Sequence, residues 1–518
     1  MLCAAQKAAS AFWFADIGCR SEKCFIVMGN HMFSNCIHVS THGFFGTNYL
    51  DASGKFLARQ AVDTGGQVNY VLSLAEAQQK RSGMPGCIVT RDFEGRSLSS
   101  YTDGMPNIEQ LATGVDLIGL PAGHSGWIPK EKMGDVTDML ASALCRYCME
   151  MPNPPQVFIS HYWDGGVVAD LAVEKLRDEW DIPPIIHLHV PHSVGLLKRI
   201  REHHSETLEA ERQGREPRLE NIDRIHNFHY RLGQERAIYT KADAVICTAS
   251  EQVEALRSYY EISKTPIHLI PVGVDLSEYR GQFKGSTSKK TKKELLKDKL
   301  EIDLPEDFMD RPLIVNGGRL CDNKGFDLLV RTARSVVDRR PDAVFLLTMS
   351  YSSSCDQEQA SFVELQGLVN DLKLKDNVFL NPSVSKDVYN LIFSSADVVG
   401  GTNRFEGFGM YFTEAAAAGV PLVVSKHTGL AQNHLVHETS ALIIDPYEFD
   451  ATADALLRVL SDEVFAQKLR RNAEKVVRSL DWNEIAGQFS EVVDGLLSHP
   501  KKPSLNLQNL PGAIIYGR

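Results

Sequence analysis

The feature that most narrows the fold of this chain is a repeated alternation: short β-branched runs, each followed by a longer stretch with apolar residues at helical spacing. Near-continuous Val/Ile/Leu runs separated by helices are the pattern of a parallel sheet covered on both faces. The first series comprises CIHVST (36–41), QVFISH (156–161), IIHLHV (185–190), AVICTA (244–249) and IHLIPVGV (267–274). The second comprises LIVNGG (313–318), AVFLLTM (343–349), NVFLNP (377–382), DVVGGT (397–402), PLVVSK (421–426) and ALIID (441–445), with helices expected over 325–339 and 385–395. Between the two lies the Lys-rich stretch KGSTSKKTKKELLKDK (284–299). The pattern predicts an α/β protein with two doubly wound domains, 33–275 and 306–480, and a charged linker over 276–305. Residues 450–497 keep helical spacing with no strand between them, so the chain is expected to finish in helices, with a terminal helix and tail over 481–518.

Length agrees, since 518 residues hold two to four domains at about 100–200 residues each. The formal net charge of −11 argues against broad binding to nucleic acid or anionic membranes, and no apolar run is long enough to span a membrane. Ten cysteines are too sparse for a disulfide scaffold and suit a reducing cytoplasm. Cys145 and Cys148 form a CxxC, but no second pair completes a four-ligand zinc site, so both read as ordinary helix cysteines. Residues 1–32 read as an N-terminal extension or as translation begun ahead of Met28 or Met32. Lys7 comes late for a secretory signal, and Asp16 interrupts the apolar run.

In open α/β sheets ligands bind beyond the carboxyl ends of the strands, so chemistry is sought in the segments that follow them. Gly65 and Gly66 stand directly before an amphipathic helix, where backbone amides can approach an anion. No GxGxxG occurs at a strand–helix junction, which removes the main support for a dinucleotide oxidoreductase. Tyr162, His192, Ser193, Lys198 and Arg231 fall at the mouth of the first sheet. With Lys130 they offer cations and hydroxyls suited to an anionic small molecule. In the second half, Arg319 and Lys324 sit between a strand and a helix, where cations can neutralise a diphosphate. Gly407 and Gly409 precede an Ala-rich helix beginning near Met410. Glu406 and Glu414, eight residues apart, would be about 12 Å apart on a helix. A glycosidase pair works at roughly 5–9.5 Å, so these two read as hydroxyl acceptors.

DTGGQ, SHYWDGG, PHSVGLLK, the GRL-x3-KG segment and Glu-x7-Glu, in that order, resemble the retaining nucleotide-sugar glycosyltransferases of the GT-B fold. More narrowly they are similar to the sucrose-phosphate synthase and mannosylfructose-phosphate synthase group, over about residues 36–497. The resemblance implies two Rossmann-like domains facing across a cleft, with C-terminal helices. It implies a donor site of Gly66, Arg319, Lys324, Glu406, Phe408, Gly409, Met410 and Glu414. Arg319 and Lys324 would clamp the diphosphate, Glu406 would hold the hexose and Glu414 the ribose. His192 would sit against the transferred sugar. Gly65, Gln67, Lys130, Tyr162, Ser193, Lys198 and Arg231 match the group's pocket for fructose 6-phosphate.

The implied partners are thus a nucleotide sugar and a sugar phosphate. The implied reaction is hexosyl transfer with retention, catalysed by His192, Glu406, Arg319 and Lys324, the donor's own phosphate oxygen taking the acceptor proton. No cofactor is implied. A metal is not required either, because Arg319 and Lys324 can supply the charge and no Asp-x-Asp precedes the donor site. STHG, SHYWDGG and HTGL look more like mannosylfructose-phosphate synthase, which points to a GDP-mannose donor. The alternatives are sucrose-phosphate synthesis from UDP-glucose and transfer to another sugar phosphate or an inositol phosphate. Two departures bear on the donor: Gly407 stands where many relatives have Pro, and Thr428-Gly429 replaces a double Gly.

Overall fold

The computed structural model describes residues 36–43, 45, 66–83, 86–92, 107–111, 114–123, 126, 128–180, 185–281, 288–300, 302–350, 356–382 and 384–498. The expected extension over 1–32, Gly65 and the tail beyond 498 lie outside them. Fourteen strands among the described residues are β1 (Cys36–Val39), β2 (Gly86–Arg91), β3 (Asn107–Gln110), β4 (Val115–Leu120), β5 (Val157–His161), β6 (Ile186–Val190), β7 (Ala244–Cys247), β8 (Ile267–Leu269), β9 (Leu313–Arg319), β10 (Val344–Ser350), β11 (Val378–Pro382), β12 (Val398–Gly401), β13 (Leu422–Ser425) and β14 (Leu442–Ile444).

They form two sheets, ordered β3-β4-β2-β1-β5-β6-β7-β8 and β11-β10-β9-β12-β13-β14. Every pairing is parallel except β3 with β4. In both sheets the order reverses once about the first strand of a doubly wound half, so the switch points fall between β1 and β5 and between β9 and β12. β2, β3 and β4 are absent from the expected strands. Their segments, GCIVTR, NIEQ and VDLIGL, are interrupted by glycine or polar residues, and β3 is an exposed antiparallel edge.

The region 276–305, expected as a charged linker, carries two helices, Leu276–Gly281 and Lys289–Lys299. Lys293 is buried there, its Nζ donating to the Arg311 carbonyl (2.6 Å) and to Asp397 (2.9 Å). A lysine is rarely buried unless paired, and this pair anchors the stretch to the second domain.

Cys145 and Cys148 lie buried on the helix Thr137–Glu150, where Cys148 packs in the apolar core. The three final helices, Phe449–Ser461, Glu463–Arg478 and Trp482–Ser498, occupy the region read as helical. The last of these crosses to the first domain and packs on the helix Gly66–Ser82. Trp482 sets the crossing: its ring is edge-on to Tyr70 at 5.2 Å, and a Cβ at Gly273 would fall 2.2 Å from it. One apolar core therefore runs through both sheets, from Val71 and Leu74 through Phe412 to Trp482 and Phe489. No helix among the described residues is long and apolar enough to cross a membrane.

Candidate active site

The wall from the second sheet is built around the β9/β12 switch point. A single turn, Asp322–Lys324, follows β9 and ends on Gly325 at φ +64°. A Cβ on Gly325 would meet the Thr402 carbonyl at 2.1 Å, and Thr402 Oγ1 donates to the Gly325 carbonyl (2.8 Å). Only glycine fits so close an approach in this conformation. The turn is thereby pinned to the end of β12, and Lys324 Nζ is held against the Glu406 carboxylate. Asn403 Nδ2 also donates to Glu406 (3.3 Å). Arg319 is exposed at the mouth, and its guanidinium makes no ion pair or hydrogen bond among the described residues.

Glu406 is not helical; it pairs as an isolated bridge with Thr428. The helix Met410–Ala417 begins after Gly409, at φ +104°, and Glu414 on it accepts a hydrogen bond from Tyr389 Oη (2.5 Å). The loop carrying Glu406 is clamped by Arg404, bidentate to Asp327 at 2.7 Å for both bonds, and Phe408 is buried beneath it.

The opposing wall comes from the first sheet. Gly66 opens its helix opposite Met410, and a Cβ there would lie 3.3 Å from Met410 Sδ. The N-termini of two helices therefore meet across the cleft, and both favour anionic groups. Gln67 Nε2 donates to Ser40 Oγ (3.0 Å) just past β1. His192, after β6, has φ +55°, and its carbonyl accepts from Gln252 Nε2 (3.3 Å). A Cβ at Gly407 would stand 3.7 Å from that carbonyl, so the loop of Glu406 directly faces His192. Burial, reinforced by the nearby His42, pushes the His192 imidazole down to about 3. Ser205 Oγ to Asp322 (2.8 Å), Asn433 Nδ2 to Ser250 Oγ (2.7 Å) and Arg201 stacked on Phe405 join the two walls.

Behind His192, a recess is lined by Lys130, Glu131, Tyr162, Trp163, His226, Asn227 and Arg231. Lys198 joins this group through His226 Nδ1 (3.2 Å). Burial and the neighbouring Arg231 and Lys130 bring the Lys198 ammonium down to about 8. Burial acts to raise the Glu131 carboxyl, but His226, Lys130 and Lys198 outweigh it and hold it at about 2.

Arg231 is 4 % exposed and heavily paired. It donates to Glu235 (2.8 Å), Tyr162 Oη (2.6 Å) and the Ser193 carbonyl (2.5 Å). Glu235, 1 % exposed, also accepts from the Gly195 amide (3.0 and 2.9 Å) and from Tyr260 Oη. Arg231 therefore shapes the recess by fixing Tyr162 and Ser193, while Lys130 and Lys198 bring cationic charge that Glu131, 3.5 Å from Lys130 Nζ, offsets in part.

The structure thus brings Lys130, Tyr162, Ser193, Lys198 and Arg231 to one recess, and Arg319, Lys324, Glu406, Phe408, Gly409, Met410 and Glu414 to the facing wall. His192 and Gly66 lie at the cleft between, with Gln67 beside β1. Sequence reasoning missed Glu235, although its i+4 spacing from Arg231 was a usable signal. It also missed His42, whose Nδ1 lies 2.8 Å from the fully buried Asp164 and whose ring meets Tyr162 edge-on at 4.7 Å. Among the described residues no group of three or more His, Cys, Asp or Glu side chains is placed to hold a metal ion.

Two family models match the chain: "Glycosyl transferase 4-like domain" over residues 65–273 and "Glycosyl transferases group 1" over 283–476. Mannosylfructose-phosphate synthase of Agrobacterium fabrum is 29% identical over 467 residues, covering 89% of this chain and 91% of that protein. D-inositol 3-phosphate glycosyltransferase of Xylanimonas cellulosilytica is 25% identical over 431 residues, covering 83% and 91%. Among solved structures, sucrose-phosphate synthase from Thermosynechococcus elongatus superposes with a TM-score of 0.65 at 24% identity, over 90% of this chain and 100% of that one.

Proposed function

This chain belongs to the retaining GT-B glycosyltransferases, and from that premise we propose that it moves a hexose from a nucleotide sugar to fructose 6-phosphate, with GDP-mannose as donor. The observation that carries the reading is the pairing of two cationic sites across one cleft. Arg319 and Lys324 stand on one side; Lys130 and Lys198 gather around a recess on the other. One serves a leaving diphosphate, the other an acceptor phosphate.

In the reaction the bond from the anomeric carbon to the donor phosphate breaks, and a bond to the acceptor hydroxyl oxygen forms on the same face. The acceptor proton passes to the departing phosphate oxygen. Negative charge grows on that diphosphate, so the groups that matter most are those already aimed at it: Lys324, fixed by the Gly325–Thr402 clamp, Arg319, and the amides at Met410 and Gly66. On this reading Glu406 and His192 would hold the hexose, and Glu414 would take ribose hydroxyls. The cations supply the charge that a divalent ion would otherwise bring, so this reading needs no metal.

The experiment is nucleotide release with GDP-mannose, UDP-glucose or ADP-glucose, each with fructose 6-phosphate, free fructose or an inositol phosphate. Release with GDP-mannose that requires the 6-phosphate is the expected result. Release only with UDP-glucose would replace the donor assignment. Release only with the inositol phosphate would replace the acceptor.

A further inference from the structure

His192 is the end of a file of buried rings. Its Nε2 lies 2.9 Å from His161 Nδ1; His161 Nε2 lies 2.9 Å from His38 Nδ1; His38 Nε2 lies 2.7 Å from Gln78 Oε1. The rings of His38 and His161 are stacked at 5.2 Å, and Tyr70 packs edge-on against both His161 and His192. The three residues come from β1, β5 and the segment after β6, with Gln78 on the helix Gly66–Ser82, so four separate elements hold the file.

We infer that Gln78, acting through His38 and His161, fixes His192 as the Nε2-protonated tautomer and leaves its Nδ1 as a bare acceptor for a sugar hydroxyl. A carbonyl oxygen only accepts, so His38 Nε2 must carry the proton that meets Gln78. A neutral imidazole has one N–H, so His38 Nδ1 is bare and accepts from His161 Nε2–H. His161 Nδ1 is then bare and accepts from His192 Nε2–H. Burial keeps each ring neutral near pH 7, with His38 at about 4, His192 at about 3 and His161 well below its ordinary value. Gln78 Nε2 is buried without a partner among the described residues, so the direction of the whole file rests on the Gln78 oxygen facing His38; with the amide turned over, Nε2–H would donate to His38 and the His192 proton would sit on Nδ1. Gln78, His38 and His161 are on this view positioning residues, and the functional part rests on the transfer reading above.

The test is the ¹⁵N spectrum of full-length protein labelled at histidine, which separates a protonated from a bare ring nitrogen. His192 is assigned by the signals lost in His192→Asn. A protonated Nε2 and bare Nδ1 on His192 near pH 7 are expected. Gln78→Met removes the acceptor and should give His192 a mixture of tautomers, with transfer slowed about tenfold in kcat and little change in acceptor KM. Gln78→Glu places a carboxylate beside His38, which favours a doubly protonated ring donating from Nδ1, and should therefore reverse the file and move the His192 proton to Nδ1. A protonated Nδ1 in the wild type, or a His192 spectrum unmoved by Gln78→Met, would overturn the inference. An intact tautomer signature in a protein that transfers no hexose would leave the file standing and count against the proposed reaction instead.

Discussion

Lys198 gives the acceptor recess a pH response that can be worked out in advance. Its ammonium sits at about 8 instead of its ordinary 10.5, because it is buried and shares the site with Arg231 and Lys130, against which Glu202 and Glu131 compensate only in part. Between pH 8 and 10.5 the unfolded chain keeps this proton and the folded one sheds it. The lysine's cost to stability is therefore complete below pH 8 and is relieved as pH rises toward 10.5.

For binding, the consequence runs the other way. A sugar phosphate is already dianionic above its second pKa near 6, so only Lys198 changes charge between pH 7 and 9 in this pair. If the charged form binds, acceptor KM scales as one plus the ratio of neutral to charged lysine, and rises about tenfold from pH 7 to pH 9. Initial rates at saturating donor, with acceptor varied at pH 7, 8 and 9, measure it, and donor KM serves as the internal reference. Lys198→Arg keeps its charge over this range and should flatten the profile; Lys198→Met should raise KM at pH 7 and leave it flat. A wild-type KM that does not move, or a tenfold rise that persists in Lys198→Arg, would refute the assignment.

Lys324→Met should slow nucleotide release by roughly 10²–10³, since it removes a preorganised cation from the leaving group, and near-wild-type turnover would remove Lys324 from the mechanism. Glu235→Gln should cost about 3–5 kcal/mol in urea unfolding, because it strips the buried Arg231 guanidinium of its counter-ion. The Glu235→Leu/Arg231→Met double variant should recover most of that loss, and a double variant no better than the single would show that the two are not coupled. EDTA should leave the transfer rate unchanged, and activity restored by added Mg²⁺ after chelation would contradict the charge assignment to Arg319 and Lys324.

The second domain was legible almost strand by strand, because its six strands are buried on both faces and must be written in continuous apolar runs. The first was less so. β4 breaks its apolar run with Asp116 and Gly119, β2 has only the short run Cys87–Val89, and β3 reads as a polar loop because it is an edge with no partner on one side. Site residues behaved likewise. Arg319, Lys324, Glu406 and His192 stand at strand ends, where local pattern marks them. What pattern could not show is which partner each charge keeps. Arg231 reads as a phosphate cation until Glu235, Tyr162 and Ser193 are seen to occupy it, and His38 and His161 read as strand residues until the sheet stacks them behind His192. These are facts of tertiary contact between positions up to 123 residues apart.

The helix Trp482–Ser498 has a consequence for how the protein is made. It covers the helix Gly66–Ser82, yet it leaves the ribosome about 400 residues later, roughly 20–80 s at ordinary elongation rates. Tyr70 waits through that interval for Trp482, and the slot at Gly273 through about its second half. The first domain is the earlier half to be translated and the last to be finished.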